Sequence, residues 1–328
     1  MPKAQLTVFI TRPIPTECIV ALKKYARVII RRTDSIITRT ELLRGIRQAD
    51  ILLPILTDAI DDQVLAAAPK LKLIANFGAG YNNIDVTAAT KRGVLISNTP
   101  DVLTDTTAEL AITLLLAVAR RVVWADQQMR TGRYPGWGPL QYLGHGVSGK
   151  TLGIIGLGRI GSRVAEIAHH GFGMHILYYT KHKERDVEKS LGAKKVPLTS
   201  LLRRSDFVTL HVPLTRETTH LISQPQLAQM KSTAFLINTS RGPVVNEAAV
   251  VQAVRQQRIA GAGFDVYEHE PRLTPGLAAL PNVVLLPHIG SATHETRVAM
   301  GMLAVKNIIA FIKHQRLPSV VNHPARSV

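Results

Sequence analysis

The chain has 328 residues, of which 46% are hydrophobic, enough for two domains that each bury a core. Its single cysteine, Cys18, excludes an internal disulfide framework and fits a reducing compartment. Forty Lys and Arg against 23 Asp and Glu give a net charge of +17, yet the basic residues are scattered and aromatics make up only 5%, so the pattern of a specific nucleic-acid reader is absent.

The run "LTVFIT" (6–11) is too short for the apolar stretch of a signal peptide and reads as the first strand. Further strands are expected at 27–30, 50–55, 71–78 and 94–97, with helical patterns between them. "DVLTDTTAELAITLLLAVARRVV" (101–123) reads as one long helix, with Thr and Asp at its start and an Arg pair towards its end, as the helix dipole favours. Its apolar part, 110–119, is too short to span a bilayer, so the expectation is a cytoplasmic protein without a membrane partner. The Gly- and Pro-rich segment 130–150 is a loop or arm. A second strand series follows at 151–156, 175–180, 206–212, 234–240, 261–266 and 283–288, then a helix over roughly 294–315 and a frayed tail at 323–328. Continuous apolar strands alternating with helices predict an α/β fold of doubly wound parallel sheets. The simplest division joins 1–101 to 290–328 as a flavodoxin-like domain and inserts 102–289 as the other.

"GLGRIG" follows the strand 151–156 and opens a helical pattern. In that context Gly156 permits a tight turn, Gly158 lets the backbone approach a pyrophosphate, and Gly161 lets the helix pack on the strand. Arg159 and Ile160 then lie at a helix N-terminus, whose N–H groups attract phosphate. The inserted domain is therefore expected to be a dinucleotide-binding Rossmann domain. An acid normally follows about 20 residues later to bind the ribose hydroxyls. Here the strand ends in Thr180-Lys181-His182-Lys183. Without a carboxylate to repel a 2′-phosphate, NADP(H) is expected over NAD(H), with NAD(H) as the alternative. The alternative is a solvated charged turn, since Glu184, Asp186 and Glu188 lie close by.

Arg241, Glu270 and His288 lie at or just past strand ends of the second series. Ligands of such sheets bind beyond the carboxyl ends of the strands, so all three are expected at one crevice. Reduction of a 2-keto acid asks for these types. Arg offers a planar fork to the carboxylate and keto oxygen. His supplies a proton to the developing alkoxide, and a carboxylate orients the ring. Taken singly, His288 reads as a structural histidine and Arg241 as a surface ion-pair member; the combination with the glycine loop decides for a site. No HExxH or CxxC pattern occurs, and no metal is expected.

"GLGRIG", "HVPLTRET", "INTSRGPVVNE", "GAGFDVYEHEP" and "LLPHIGSAT" together resemble the signature blocks of the D-isomer-specific 2-hydroxyacid dehydrogenases, in order and over nearly the whole chain. "NFGAGYNNIDV" and "ILYYTKHK" are most similar to the glyoxylate/hydroxypyruvate reductase branch. The resemblance implies two Rossmann-like domains with the active site in the cleft between them, Arg241 on the substrate, His288 as proton donor and Glu270 as its partner. It also implies Asp265 and Thr107 on the nicotinamide side, His211 near the cofactor, and the N–H groups of Ala79 and Gly80 on the substrate carboxylate. Many relatives carry Val at position 79. Ser291 would reach the far end of the substrate. A homodimer is implied, with Trp137 of the arm reaching the neighbouring subunit's site. The implied activity is NAD(P)H-dependent reduction of glyoxylate or hydroxypyruvate; 2-ketogluconate, another 2-keto acid, phosphite and a nucleotide-sensing corepressor are the alternatives.

Overall fold

A computed structural model describes residues 5–324; residues 325–328 of the expected frayed tail lie outside the described residues. The chain forms two compact units, Met1–Leu103 with Ser291–Val328, and Thr104–Gly290.

The first unit holds a five-stranded parallel sheet: β1 (Thr7–Ile10), β2 (Arg27–Ile30), β3 (Ile51–Leu53), β4 (Leu73–Ala75) and β5 (Leu95–Ser97), in the order β2-β1-β3-β4-β5. Successive side chains alternate between the faces of the sheet. Phe9, Leu52, Ile74 and Ile96 therefore point one way, into a cluster with Leu42, Ile46, Val64 and Ala89 from the crossover helices. The long helix His294–Ile312 packs on the helix Thr16–Lys23 and on β4. Cys18 is buried there, and desolvation pushes its thiol up to about 11, which leaves it a poor nucleophile.

The second unit holds a seven-stranded parallel sheet: β6 (Thr151–Ile155), β7 (His175–Tyr179), β8 (Lys194–Lys195), β9 (Phe207–Leu210), β10 (Phe235–Asn238), β11 (Gly261–Phe264) and β12 (Val283–Leu285). The order is β12-β11-β10-β9-β6-β7-β8. Every residue of β9, β10 and β11 is buried, as expected of central parallel strands covered on both faces. The predicted parallel α/β class is the observed one. The two-residue strand β8 has no apolar signal; both its lysines are exposed at a sheet edge, where charge discourages further pairing.

The single helix expected over 101–123 is corrected to two, Thr104–Ala119 and Val122–Arg130. Arg121 between them has φ 54° and places its guanidinium 3.9 Å from the centre of the Trp124 ring. The Ala119 carbonyl accepts the His145 N–H at 2.8 Å, so the end of the first helix is satisfied by the arm. The second helix has no buried residue. Among the described residues no helix is long and apolar enough to cross a membrane.

Candidate active site

The chain leaves β6 through Gly156, at φ 95°, where an added Cβ would meet the His211 carbonyl oxygen at 2.7 Å. At Gly161 a Cβ would overlap the Gly156 carbonyl. Both glycines are thus required by the protein's own packing. Gly158 differs. It is the N-cap of the helix Arg159–Phe172, has no side-chain cap, and has nothing within 4 Å of an added Cβ. Open space beside the N-terminal turn of a helix suits a phosphate, so the cradle fits a dinucleotide pyrophosphate. Two substitutions separate these roles. Gly161→Ala is expected to cost about 1–3 kcal/mol of stability, read as a lowered Tm. Gly158→Ala should leave Tm unchanged and weaken nicotinamide cofactor binding by roughly tenfold or more, read as Kd by fluorescence titration.

Past β7, the turn Thr180-Lys181-His182-Lys183 presents no carboxylate at its first position. Lys183 is paired with Glu188 at 3.1 Å, while the Lys195 ammonium donates to the Lys181 carbonyl at 3.1 Å. Lys181 and His182 are exposed.

The three strand-end residues of this unit lie in one neighbourhood. His288 Nδ1 is 3.0 Å from Glu270 Oε2, with both side chains about one-third exposed. Glu270 Oε1 accepts the Tyr267 N–H at 3.0 Å. Burial alone would raise the Glu270 carboxyl, but the His288 contact, the Tyr267 amide and the charge of Arg241 together hold it below its ordinary value. Arg241 is half-buried and donates from Nη1 to the Ser240 carbonyl at 2.6 Å. Desolvation lowers its pKa, opposed by Glu270; guanidinium stays charged regardless.

Asp265 is 1% exposed, and its two carboxylate oxygens accept the N–H groups of Ile289 (2.7 Å) and Gly290 (2.8 Å). Burial raises its pKa against these two bonds. His288 itself has φ 56°, a left-handed conformation that costs about 1–3 kcal/mol for a residue with a side chain. The Asp265 clamp on the next two amides holds that conformation. A Cβ on Gly290 would lie 3.1 Å from Asp265 and 3.6 Å from Thr107, which brings Thr107 to the same spot.

Residues 112–290 match the family described as D-isomer specific 2-hydroxyacid dehydrogenase, NAD binding domain. A glyoxylate reductase of Thermococcus litoralis is 50% identical over 319 residues, covering 96% of each chain. A crystal structure of a Thermus thermophilus protein superposes with a TM-score of 0.91 at 40% identity, over 97% of this chain and all of that one. An NADPH-dependent glyoxylate/hydroxypyruvate reductase from Sinorhizobium meliloti, solved with NADP and malonate, superposes at 0.86 with 32% identity, over 99% of this chain and all of that one. The chain belongs to the D-isomer-specific 2-hydroxyacid dehydrogenases. It is an oxidoreductase that uses a nicotinamide cofactor and acts on a small 2-keto or 2-hydroxy acid.

In this dehydrogenase His211 is half-buried, with its Nε2 2.9 Å from the Thr209 hydroxyl. Burial pushes its imidazole down to about 3, so the ring is neutral at pH 7. Trp137 is 85% exposed on the arm. Ala79 and Gly80 belong to the first unit, in the loop after β4, and Ser291, half-buried, opens that unit's second segment. Among the described residues no group of three or more His, Cys, Asp or Glu could hold a metal ion.

Two features were not anticipated from the sequence. The Tyr267 hydroxyl donates to the Leu286 carbonyl at 2.8 Å, tying the Glu270 loop to the segment that leads to His288. Glu247 and Glu268 each accept the other's backbone N–H, at 2.8 and 2.9 Å, and so brace the same loop. The acids in "YEHEP" were the available signal for Glu268, but its pairing with Glu247 joins segments distant in the chain.

Proposed function

We propose that this dehydrogenase reduces glyoxylate or hydroxypyruvate to the D-2-hydroxy acid, with NADP(H) preferred. The observation that carries the reading is the 3.0 Å His288–Glu270 contact beside the Arg241 guanidinium. The naming of the Thermococcus litoralis and Sinorhizobium meliloti relatives supports the substrate class.

Gly156, Gly158 and Gly161, with the N-terminal turn at Arg159 and Ile160, hold the cofactor pyrophosphate. Thr180, Lys181, His182 and Lys183 face its adenosine ribose, where an absent carboxylate and added positive charge favour a 2′-phosphate. Asp265, Thr107 and His211 line the nicotinamide side. The bound nicotinamide supplies the hydride. Arg241 holds the substrate carboxylate and polarises the keto oxygen by charge-assisted hydrogen bonds. His288 donates its proton to the oxygen that becomes the hydroxyl. Glu270 fixes the ring through Nδ1, which leaves Nε2 for the substrate. Ser291 contacts the far end of the substrate.

The protein acts as a cytoplasmic homodimer in this reading. Val122, Met129, Tyr134, Trp137, Leu140 and Leu143 all lie exposed on the second helix and the arm, an apolar surface that suits a second copy. Trp137 is then the side chain offered to the partner's site.

Initial rates of glyoxylate reduction with NADPH and with NADH test the proposal, with the mass of the same preparation read by light scattering. A kcat/KM at least roughly tenfold higher with NADPH is expected, equivalent to about 1.4 kcal/mol. Equal or better use of NADH removes the cofactor preference. Absence of turnover with either removes the substrate, and the mass of one chain removes the dimer.

A further inference from the structure

We propose that Asn98 and Asn76 are positioning residues that set the substrate-carboxylate donors of the first unit and add the Tyr81 N–H to those of Ala79 and Gly80. This rests on the keto-acid reading above and concerns how the loop 78–81 is held.

β4 and β5 pair in parallel with Ala75 opposite Ser97, and the ladder continues with the Asn76 N–H on the Ser97 carbonyl at 2.8 Å. Asn76 and Asn98 thus stand side by side, each one residue beyond its strand. Their side chains turn to the same loop. Asn98 Nδ2 donates to the Ala79 carbonyl at 2.7 Å, and Asn76 Nδ2 donates to the Gly80 carbonyl at 2.8 Å. The Gly78 carbonyl accepts the Thr99 N–H at 3.0 Å. A carbonyl only accepts, so each Asn must present its NH₂ group.

Three successive carbonyls are therefore anchored on the strand ends. In a planar trans peptide the N–H points opposite to the C=O. Anchoring Gly78, Ala79 and Gly80 carbonyls turns the N–H groups of Ala79, Gly80 and Tyr81 away from the sheet. Among the described residues none of these three N–H groups donates to a protein acceptor. Ala79 and Gly80 are half-buried and Tyr81 is exposed. A row of outward N–H groups is an anion-binding element, and a carboxylate is an anion of the right size.

The anchor is itself braced. The Asn98 carbonyl accepts the Ser319 hydroxyl at 2.6 Å, and fully buried Asn307 bonds both the N–H and the hydroxyl of Ser319, at 3.0 and 3.1 Å. Asn76 is fully buried, whereas Asn98 is half-buried. Asn98 is accordingly the position to change with least cost to the fold.

Asn98→Asp replaces the donor by an oxygen that repels the Ala79 carbonyl. Oxamate, a carboxylate that is not turned over, is the probe, titrated calorimetrically into the cofactor-loaded enzyme. The variant should raise the oxamate Kd and the glyoxylate KM by roughly tenfold or more, as for loss of hydrogen bonds to a charged group. Cofactor Kd and Tm should stay at wild-type values, a split that general damage would not produce. In the wild-type protein, oxamate should shift the ¹⁵N–H signals of Ala79, Gly80 and Tyr81; this needs no variant to fold. Unchanged oxamate and glyoxylate constants in Asn98→Asp, or an unmoved Gly80 signal, overturn the proposal. Oxamate binding through Gly80 without glyoxylate turnover upholds it while removing the proposed substrate. Glyoxylate turnover with no oxamate-induced shift in the loop removes this inference and leaves the activity standing.

Discussion

His288→Ala is expected to lower kcat for glyoxylate reduction by roughly 10²–10⁴-fold, the usual scale for a positioned proton donor. The residue is half-buried and in no hydrophobic cluster, so the loss should come without unfolding. Alanine also relieves little of the backbone strain, since the left-handed conformation is imposed by the Asp265 bonds to residues 289 and 290. Steady-state rates on protein with a wild-type circular dichroism spectrum and unchanged cofactor Kd decide the matter. Turnover within a few-fold of wild type would remove His288 from the chemistry and leave the Glu270 contact as a structural bond.

Arg241→Lys, nominally conservative, should lower kcat/KM by roughly 10²–10³, comparable to deleting a preorganised donor at a developing oxyanion. Lysine keeps the charge but lacks the planar fork that spans a carboxylate and a keto oxygen at once. The guanidinium is also anchored, with Nη1 on the Ser240 carbonyl at 2.6 Å, and an ammonium would not reproduce that placement. Full kinetics with glyoxylate and a measured cofactor Kd give the answer. A rise confined to KM would mean that the side chain serves binding alone; an unchanged kcat/KM would move the substrate away from Arg241.

Much of this molecule is legible in its residues because parallel strands buried on both faces are continuous apolar runs. "FVTL", "FLIN" and "VFI" carry that signal, and "KK" at 194–195 does not. The break at Arg121 was hidden because residues 119–123 keep a helical composition. The helix ends where Arg121 turns left-handed, and the Ala119 carbonyl is satisfied by the His145 amide, supplied by the arm after the chain has turned back. The site divides in the same way. Arg241, Glu270 and His288 are readable because each follows a strand and its chemistry suits the reaction. The clamp of Asp265 on residues 289–290, the Tyr267–Leu286 bond and the side-chain amide of Asn98 are relations between distant segments. Such contacts are decided by packing, and no local pattern announces them.

The first unit is made of two stretches separated by the whole of the second. During synthesis, the five-stranded sheet therefore emerges long before the helix His294–Ile312 that packs on β4 and on Thr16–Lys23. Leu22, Cys18 and Leu73 are fully buried in the finished protein, and Cys18, whose thiol lies 3.7 Å from the Val298 carbonyl, waits for that helix to leave the ribosome. The inserted unit is contiguous and can complete its own core first, at a translation rate of about 5–20 residues per second. The nascent amino-terminal sheet is then the stretch most exposed to aggregation and most in need of a chaperone, and a stop codon placed before residue 294 should yield a product that is cleared by proteolysis.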